Sequence, residues 1–189
     1  MNDSRLRKVA GLVSAGALSV AIVAGCSSST PSGDGGSSSG SGSSGCNESN
    51  YKDKAPDLAG CDLKDADLSG ANVNGVDLSG ANLDDANMSK VSAQNADLSG
   101  ANGAGSNMSG ADLQKANLSN ADLKGADLSG ADLTDAKIAD ANLSGANLSN
   151  ADLTGADISG TNLKGADYAD TTCPDGSKTS SDENPCKAS

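Results

Sequence analysis

The sequence predicts an all-β chain wound into a solenoid, and three observations carry that expectation. A five-residue phrase repeats 23 times across residues 56–170 without insertion or deletion, as in Ala66-Asp67-Leu68-Ser69-Gly70 and Ala126-Asp127-Leu128-Ser129-Gly130. Its first position is Ala in 17 copies and its third is Leu in 15, with Asp or Asn between them in 21. Its fifth position is Gly, Asn or Asp in 21 copies.

The period excludes the two regular alternatives. In an α-helix, a five-residue step carries each Leu about 140° around the axis, so the leucines would cover every side. The recurring glycines would also weaken such a helix. In a straight strand the first and third positions share a face, but the next first position lies three residues on and points the other way. Both stay inside only if the chain bends once per copy, at the fourth and fifth positions. Gly, Asn and Asp accept the φ values such corners need. A chain that bends the same way every five residues coils and stacks.

These residues resemble the pentapeptide-repeat family, A-(D/N)-L-x-x, over the whole of 56–170. The resemblance implies a right-handed quadrilateral parallel β-helix with about four repeats per coil. The 23 copies then make nearly six coils, a rod roughly 27 Å long at a strand spacing of ~4.8 Å.

Ahead of the rod, Arg5, Arg7 and Lys8 precede an uncharged run over 9–25 that ends Val23-Ala24-Gly25-Cys26. A basic head, a short apolar core and small residues describe a secretory signal over 1–25. The run has 17 residues rich in Gly, Ala and Ser, marginal for spanning a core ~30 Å thick. Val-Ala-Gly-Cys resembles the lipobox of bacterial lipoproteins, which implies that Cys26 becomes the first mature residue and carries lipid. Two or more acyl chains anchor stably where one does not. Apart from Thr30, Pro31 and Asp34, residues 27–45 are all Ser and Gly. They bury nothing, and 26–45 is expected to act as a disordered tether reaching roughly 25 Å.

Four cysteines remain: Cys46, Cys61, Cys173 and Cys186. Four allow three connectivities. On the implied rod, Cys61 and Cys173 lie more than ~20 Å apart along the axis at the same coil spacing. A disulfide needs Cα atoms within ~7 Å. That leaves Cys46–Cys61 and Cys173–Cys186, one at each end, where a solenoid needs a cap. The caps are expected over 46–55 and 171–189. Thr172-Cys173-Pro174-Asp175-Gly176 also resembles the closing segment of secreted family members. The same separation excludes a four-cysteine zinc site.

Stacking positions twenty apart gives the interior. One column reads Leu58, Leu78, Leu98, Leu118, Ile138, Ile158, and the next Leu63, Leu83, Gly103, Leu123, Leu143, Leu163. Gly103 is expected to leave a hole, partly refilled by Met88, Val91 and Met108, with Ala93 nearby. Residues 91–108 are therefore expected to be the softest part of the rod, and Gly103→Leu to stabilise it.

Outside, residues 56–170 hold 18 Asp, 6 Lys and no Glu. Asp57, Asp77 and Asp97 are expected in one ladder and Asp112, Asp132 and Asp152 in another, ~5 Å apart, close enough to raise some carboxyl pKa values or gather loose cations. No segment resembles a calcium loop, and no metal or other cofactor is expected. With no His anywhere and Arg only in the leader, general acid–base chemistry would fall to exposed, regular carboxylates, so no catalytic residue is expected. The acidic surface also argues against direct nucleic-acid binding. The expected function is that of a lipid-anchored, monomeric scaffold or interaction module meeting an envelope protein outside the cytoplasmic membrane. The alternative is DNA mimicry, by resemblance to cytoplasmic family members that bind gyrase and protect it from quinolones. The leader directs this chain elsewhere, and it lacks both the central Phe of those relatives and an apolar C-terminal segment for dimerisation.

Overall fold

The computed structural model describes residues 57–179 and Cys186. The leader, Cys26, the tether and Cys46 lie outside the described residues. Each repeat contributes one β-bridge residue, its second position, followed by a two-residue turn at the fourth and fifth. Twenty parallel bridges run from Asp57 with Asp77 to Asp152 with Thr172, every one joining residues twenty apart. Four repeats therefore complete a coil, and the chain is a four-sided parallel β-solenoid.

All five backbone N–H groups of a repeat have assigned uses, and this explains the phrase position by position. The third-position N–H donates to the second-position carbonyl one coil up, as Leu98 to Asn117 at 2.7 Å. The fifth-position N–H donates to the fourth-position carbonyl one coil up, as Gly100 to Ser119 at 2.9 Å. The second-position N–H reaches one coil down, as Asn117 to Ala96 at 2.9 Å. The first-position N–H closes the corner on the preceding third-position carbonyl, as Ala101 to Leu98 at 3.1 Å. Only the fourth-position N–H lacks a backbone acceptor, and a side chain supplies one.

The corner sets the fifth position. All 23 copies place that residue at positive φ, as type II turns require of their third residue. Lys90 and Lys115, the two residues outside the Gly, Asn and Asp set, adopt it too, at φ 55° and 58°. Tertiary stacking overrides their local preference.

The core is the file of first- and third-position side chains, with Leu63, Leu78, Leu83, Leu98, Leu113, Leu118 and their successors fully buried. Gly103 does not leave the expected hole. A Cβ placed there would sit 2.9 Å from Leu123 Cδ2, 3.3 Å from Ser106 Oγ and 3.4 Å from Met108 Cε. The interior is narrow enough for side chains of an adjoining side and of the coil above to close over the missing one. Ser106, standing where Ala is usual, is buried, and its hydroxyl donates to the Gly103 carbonyl at 2.7 Å. Met88, Val91, Ala93 and Met108 are all buried as well. The expected soft coil is filled.

The C-terminal end is closed by residues beyond the repeats. Cys173 and Cys186 form a disulfide with Cα atoms 5.1 Å apart. Thr172 pairs antiparallel with Lys178, Cys173 N–H donates to the Ser177 carbonyl at 2.7 Å, and Thr179 N–H to the Thr171 carbonyl at 2.9 Å. Tyr168 occupies a third position and is buried, its hydroxyl donating to the Leu163 carbonyl at 2.9 Å. The buried Thr171 hydroxyl donates to the Leu148 carbonyl at 2.7 Å, and Thr179 Oγ1 to the Tyr168 carbonyl. At the other end Cys61 is buried in the first coil and disulfide-bonded, its partner lying outside the described residues.

Candidate interaction surface

The four sides of the rod carry second-position columns of distinct character. The first side bears Asp57, Asp77, Asp97, Asn117, Lys137 and Asp157. The second bears Asp62, Asn82, Asn102, Asp122, Asn142 and Asn162. The third bears Asp67, Asn87, Asn107, Asp127, Asn147 and Asp167, and the fourth Asn72, Ser92, Asp112, Asp132, Asp152 and Thr172.

Asp and Asn dominate here because their Oδ1 accepts the fourth-position N–H two residues on, the bond the backbone leaves open. Examples are Ser79 N–H to Asp77 at 2.9 Å, Ser99 to Asp97 at 2.9 Å and Thr154 to Asp152 at 2.9 Å. Asn adds a second bond, its Nδ2 donating one coil down: Asn82 to Asp62 at 2.9 Å, Asn142 to Asp122 at 2.9 Å, Asn162 to Asn142 at 3.0 Å. Two copies break the rule with Ser92 and Lys137. Gln94 N–H finds Asn74 Oδ1 of the coil below instead, at 2.7 Å. Ala139 N–H, two residues beyond Lys137, has no such acceptor among the described residues. Lys137→Asn is therefore expected to stabilise the rod by about 0.5–1.5 kcal/mol, the net worth of one hydrogen bond. Thermal melts of the two proteins measure it, and an unchanged or lower Tm counts against the assignment.

In the two ladders, the carboxyls of Asp97 and Asp132 go the other way from the expectation. Ser hydroxyls and backbone N–H groups two residues on hold Asp67, Asp157 and Asp175 below the usual value of 3.8. The Ser99 hydroxyl does the same for Asp97. Burial pushes Asp132 up, but the Thr134 hydroxyl and N–H outweigh it, and Asp132 is lowered too. Repulsion along a ladder would by itself raise Asp97 and Asp132; the hydroxyl donors beside them decide the sign. In the fourth-side ladder, Gln94 Nε2 donates to Asp112 and Gln114 Nε2 to Asp132, both at 2.7 Å. Neutral amide donors thus bind two of the three stacked carboxylates.

A depressed carboxyl contributes stability that is present above its unfolded pKa and is lost as pH falls through the folded value. Tm is therefore expected to stay level from neutral pH down to about 5. It should decline only below the ordinary Asp value of 3.8. A rise in Tm on acidification from pH 7 to 5 would mean that repulsion governs the ladders after all.

Burial raises the Tyr168 phenol above 10.0, in keeping with its place in the cap. Lys64 is raised by its bond to Asp84 and also lies 3.7 Å from Asp85. Among the described residues no group of three or more His, Cys, Asp or Glu could hold a metal ion, and no helix is long and apolar enough to cross a membrane. Of the sequence-predicted cysteines, the structure joins Cys173 to Cys186 and places Cys61 at the opposite end. It also brings out Tyr168, Thr171 and Thr179, which the repeat pattern did not single out. The one aromatic residue at a third position was the available signal.

The family model for pentapeptide repeats matches residues 61–100, 94–130 and 131–167, in 8 copies. The chain belongs to the pentapeptide-repeat family. No curated protein matches it. Among solved structures it is similar to the pentapeptide-repeat protein Rfr23 of the cyanobacterium Cyanothece, with 29% identity and a TM-score of 0.50, covering 62% of this chain and 88% of that one. A pentapeptide-repeat protein of the Arabidopsis thaliana thylakoid lumen is 35% identical over 55% of this chain and 69% of its own, with a TM-score of 0.43. QnrB1, a plasmid-mediated fluoroquinolone resistance protein, is 24% identical over 59% of this chain and 66% of its own, with a TM-score of 0.35. This last likeness is one of fold alone.

Proposed function

We propose that this pentapeptide-repeat protein is a non-catalytic scaffold or interaction module, lipid-anchored through Cys26 outside the cytoplasmic membrane and held off it by the tether. The observation that carries the reading is Val23-Ala24-Gly25-Cys26 behind a basic, apolar leader and ahead of nineteen residues of almost pure Ser and Gly. The rod suits the role. Its sides are regular lattices of hydrogen-bonded side chains, and its C-terminal end is pinned by a disulfide, which forms in oxidising compartments. The right hand of the coil comes with the family resemblance.

Fractionation tests the anchor. The wild-type chain is expected in the membrane fraction with a lipid-bearing N-terminal peptide beginning at Cys26. Cys26→Ala should accumulate as an unlipidated precursor. A wild-type chain found wholly in the cytoplasm with Met1 intact would sink the reading. It would also favour the gyrase alternative, whose own readout is inhibition of DNA supercoiling by the purified chain.

A further inference from the structure

We propose that the C-terminal edge of the rod, along its first and second sides, is a strand-addition site for an extended segment of a partner protein. This rests on the reading of the rod as an interaction module, but not on its lipid anchor. The last coil leaves open a set of backbone groups that every coil below it uses. Ile138, Asp140, Leu143 and Gly145 donate their N–H groups to the carbonyls of Asp157, Ser159, Asn162 and Lys164, the first three at 2.8 Å and the last at 3.0 Å. One coil on, the N–H groups of Ile158, Gly160, Leu163 and Gly165 have no acceptor among the described residues. The Ala156 and Thr161 carbonyls likewise have no donor among them. Thr161 and Leu163 are half-buried, whereas Ala141 and Leu143 beneath them are fully buried.

The cap occupies the other two sides. On the fourth, Cys173 N–H donates to the Ser177 carbonyl and Thr172 pairs with Lys178. Thr179 stands over the end of the third, bonded to the Tyr168 carbonyl. Among the described residues nothing comparable covers the first and second.

The open groups select their occupant. Four donors stand beside two acceptors, so the edge carries a surplus of partial positive charge and fits a chain that turns carbonyls toward it. A second copy of this chain does not fit. Its C-terminal edge has the same surplus, and facing it would leave half the donors unpaired. Its N-terminal coil has the right polarity, but the fourth side of that coil would fall on the level that Lys178 already fills. A single parallel strand meets neither obstacle, and edge addition of this kind is a common mode of peptide recognition. Its apolar residues would turn inward above Ile158 and Leu163, with Gly or Asn at the bend above Gly160. A carboxylate would face Lys164, which is exposed and makes no ion pair among the described residues. A lysine would face Asp157. Such a strand makes few bonds, so a free peptide is expected to bind only in the millimolar range.

The probe is a synthetic decapeptide copying residues 136–145, the strand that underlies the site, with Ser144→Glu to meet Lys164 and both ends blocked. Its copy of Lys137 falls above Asp157. Amide hydrogen exchange is followed by NMR on the purified full chain. Without peptide, the Ile158, Gly160, Leu163 and Gly165 amides should exchange about a hundredfold or more faster than the four beneath them. Millimolar peptide should slow all four several-fold. A version N-methylated at the residues copying Lys137 and Asn142 loses the N–H groups aimed at the Ala156 and Thr161 carbonyls. It should bind about tenfold or more weakly. Four amides already protected in the free chain would mean that its own closing residues fill the edge, and would overturn the site. Exchange indifferent to the peptide, or slowed equally by the N-methylated version, would overturn it too. A chain without lipid in fractionation leaves these outcomes unchanged, so the anchor and the site fail separately.

Discussion

Gly103→Leu is expected to destabilise the rod, although the column it sits in is otherwise Leu. Read along that column alone, the change restores a missing core residue and should gain what a Leu-to-Ala truncation loses, ~2–5 kcal/mol. The space is already taken. The first carbon of any new side chain falls 2.9 Å from Leu123 Cδ2 and 3.4 Å from Met108 Cε, and three more carbons must follow it. Overpacking of this kind costs typically ~1–3 kcal/mol and sometimes more. Gly103 is not held at positive φ, so the penalty is one of packing and not of backbone. Gly103→Ala should then cost far less, since a small rotation of Leu123 relieves it. Combining Gly103→Leu with Met108→Ala should recover part of the loss. The measurement is the denaturant midpoint of the three variants. A Gly103→Leu protein more stable than wild type would show that the coil does hold a usable cavity.

That reversal shows what a repeat sequence discloses and what it conceals. The corner every five residues was legible in the period, while the four sides, and with them the twenty-residue bridge spacing, came with the family resemblance. The fifth-position preference was equally legible, since positive φ is written in Gly, Asn and Asp. The interior was legible as columns but not as a packed volume. Ser106 and Met108 belong to the next side of the same coil and Leu123 to the coil above, and no single column contains all of them with Gly103. The carboxyl pKa values were misjudged for a related reason. The ladder places charges in view, while the hydroxyl at the fourth position, as in Ser69 on Asp67 at 2.7 Å, acts within one repeat. The role of Asp and Asn as acceptors for the fourth-position N–H needed the hydrogen-bond pattern itself. Once it is known, Ser92 and Lys137 read as the two places where the rule lapses.

Removing the C-terminal disulfide is expected to fray one end of the rod and leave its middle intact. Cys173 and Cys186 are both buried, and their bond closes a loop with a sequence separation of 13. A loop of about that size confers roughly 3 kcal/mol in the chain-entropy account. In a globular domain that loss would be shared by the whole fold. In a solenoid each coil contacts only its neighbours, so the loss falls on the coil that the cap covers. The bonds at risk are Cys173 N–H to Ser177, Thr179 N–H to Thr171, and the Thr179 hydroxyl to Tyr168. Without them Tyr168 loses its cover, and Ile158 and Leu163 of the same coil come nearer to water. Hydrogen exchange on the double variant Cys173→Ala/Cys186→Ala should show amides of residues 168–179 losing protection by a hundredfold or so, the equivalent of ~3 kcal/mol. The Leu98 and Leu118 amides, bonded to the next coil at 2.7 Å, should exchange as in wild type. Protection lost evenly from Leu63 to Leu153 would mean that the rod unfolds as a single cooperative unit, and that its end caps govern the stability of every coil.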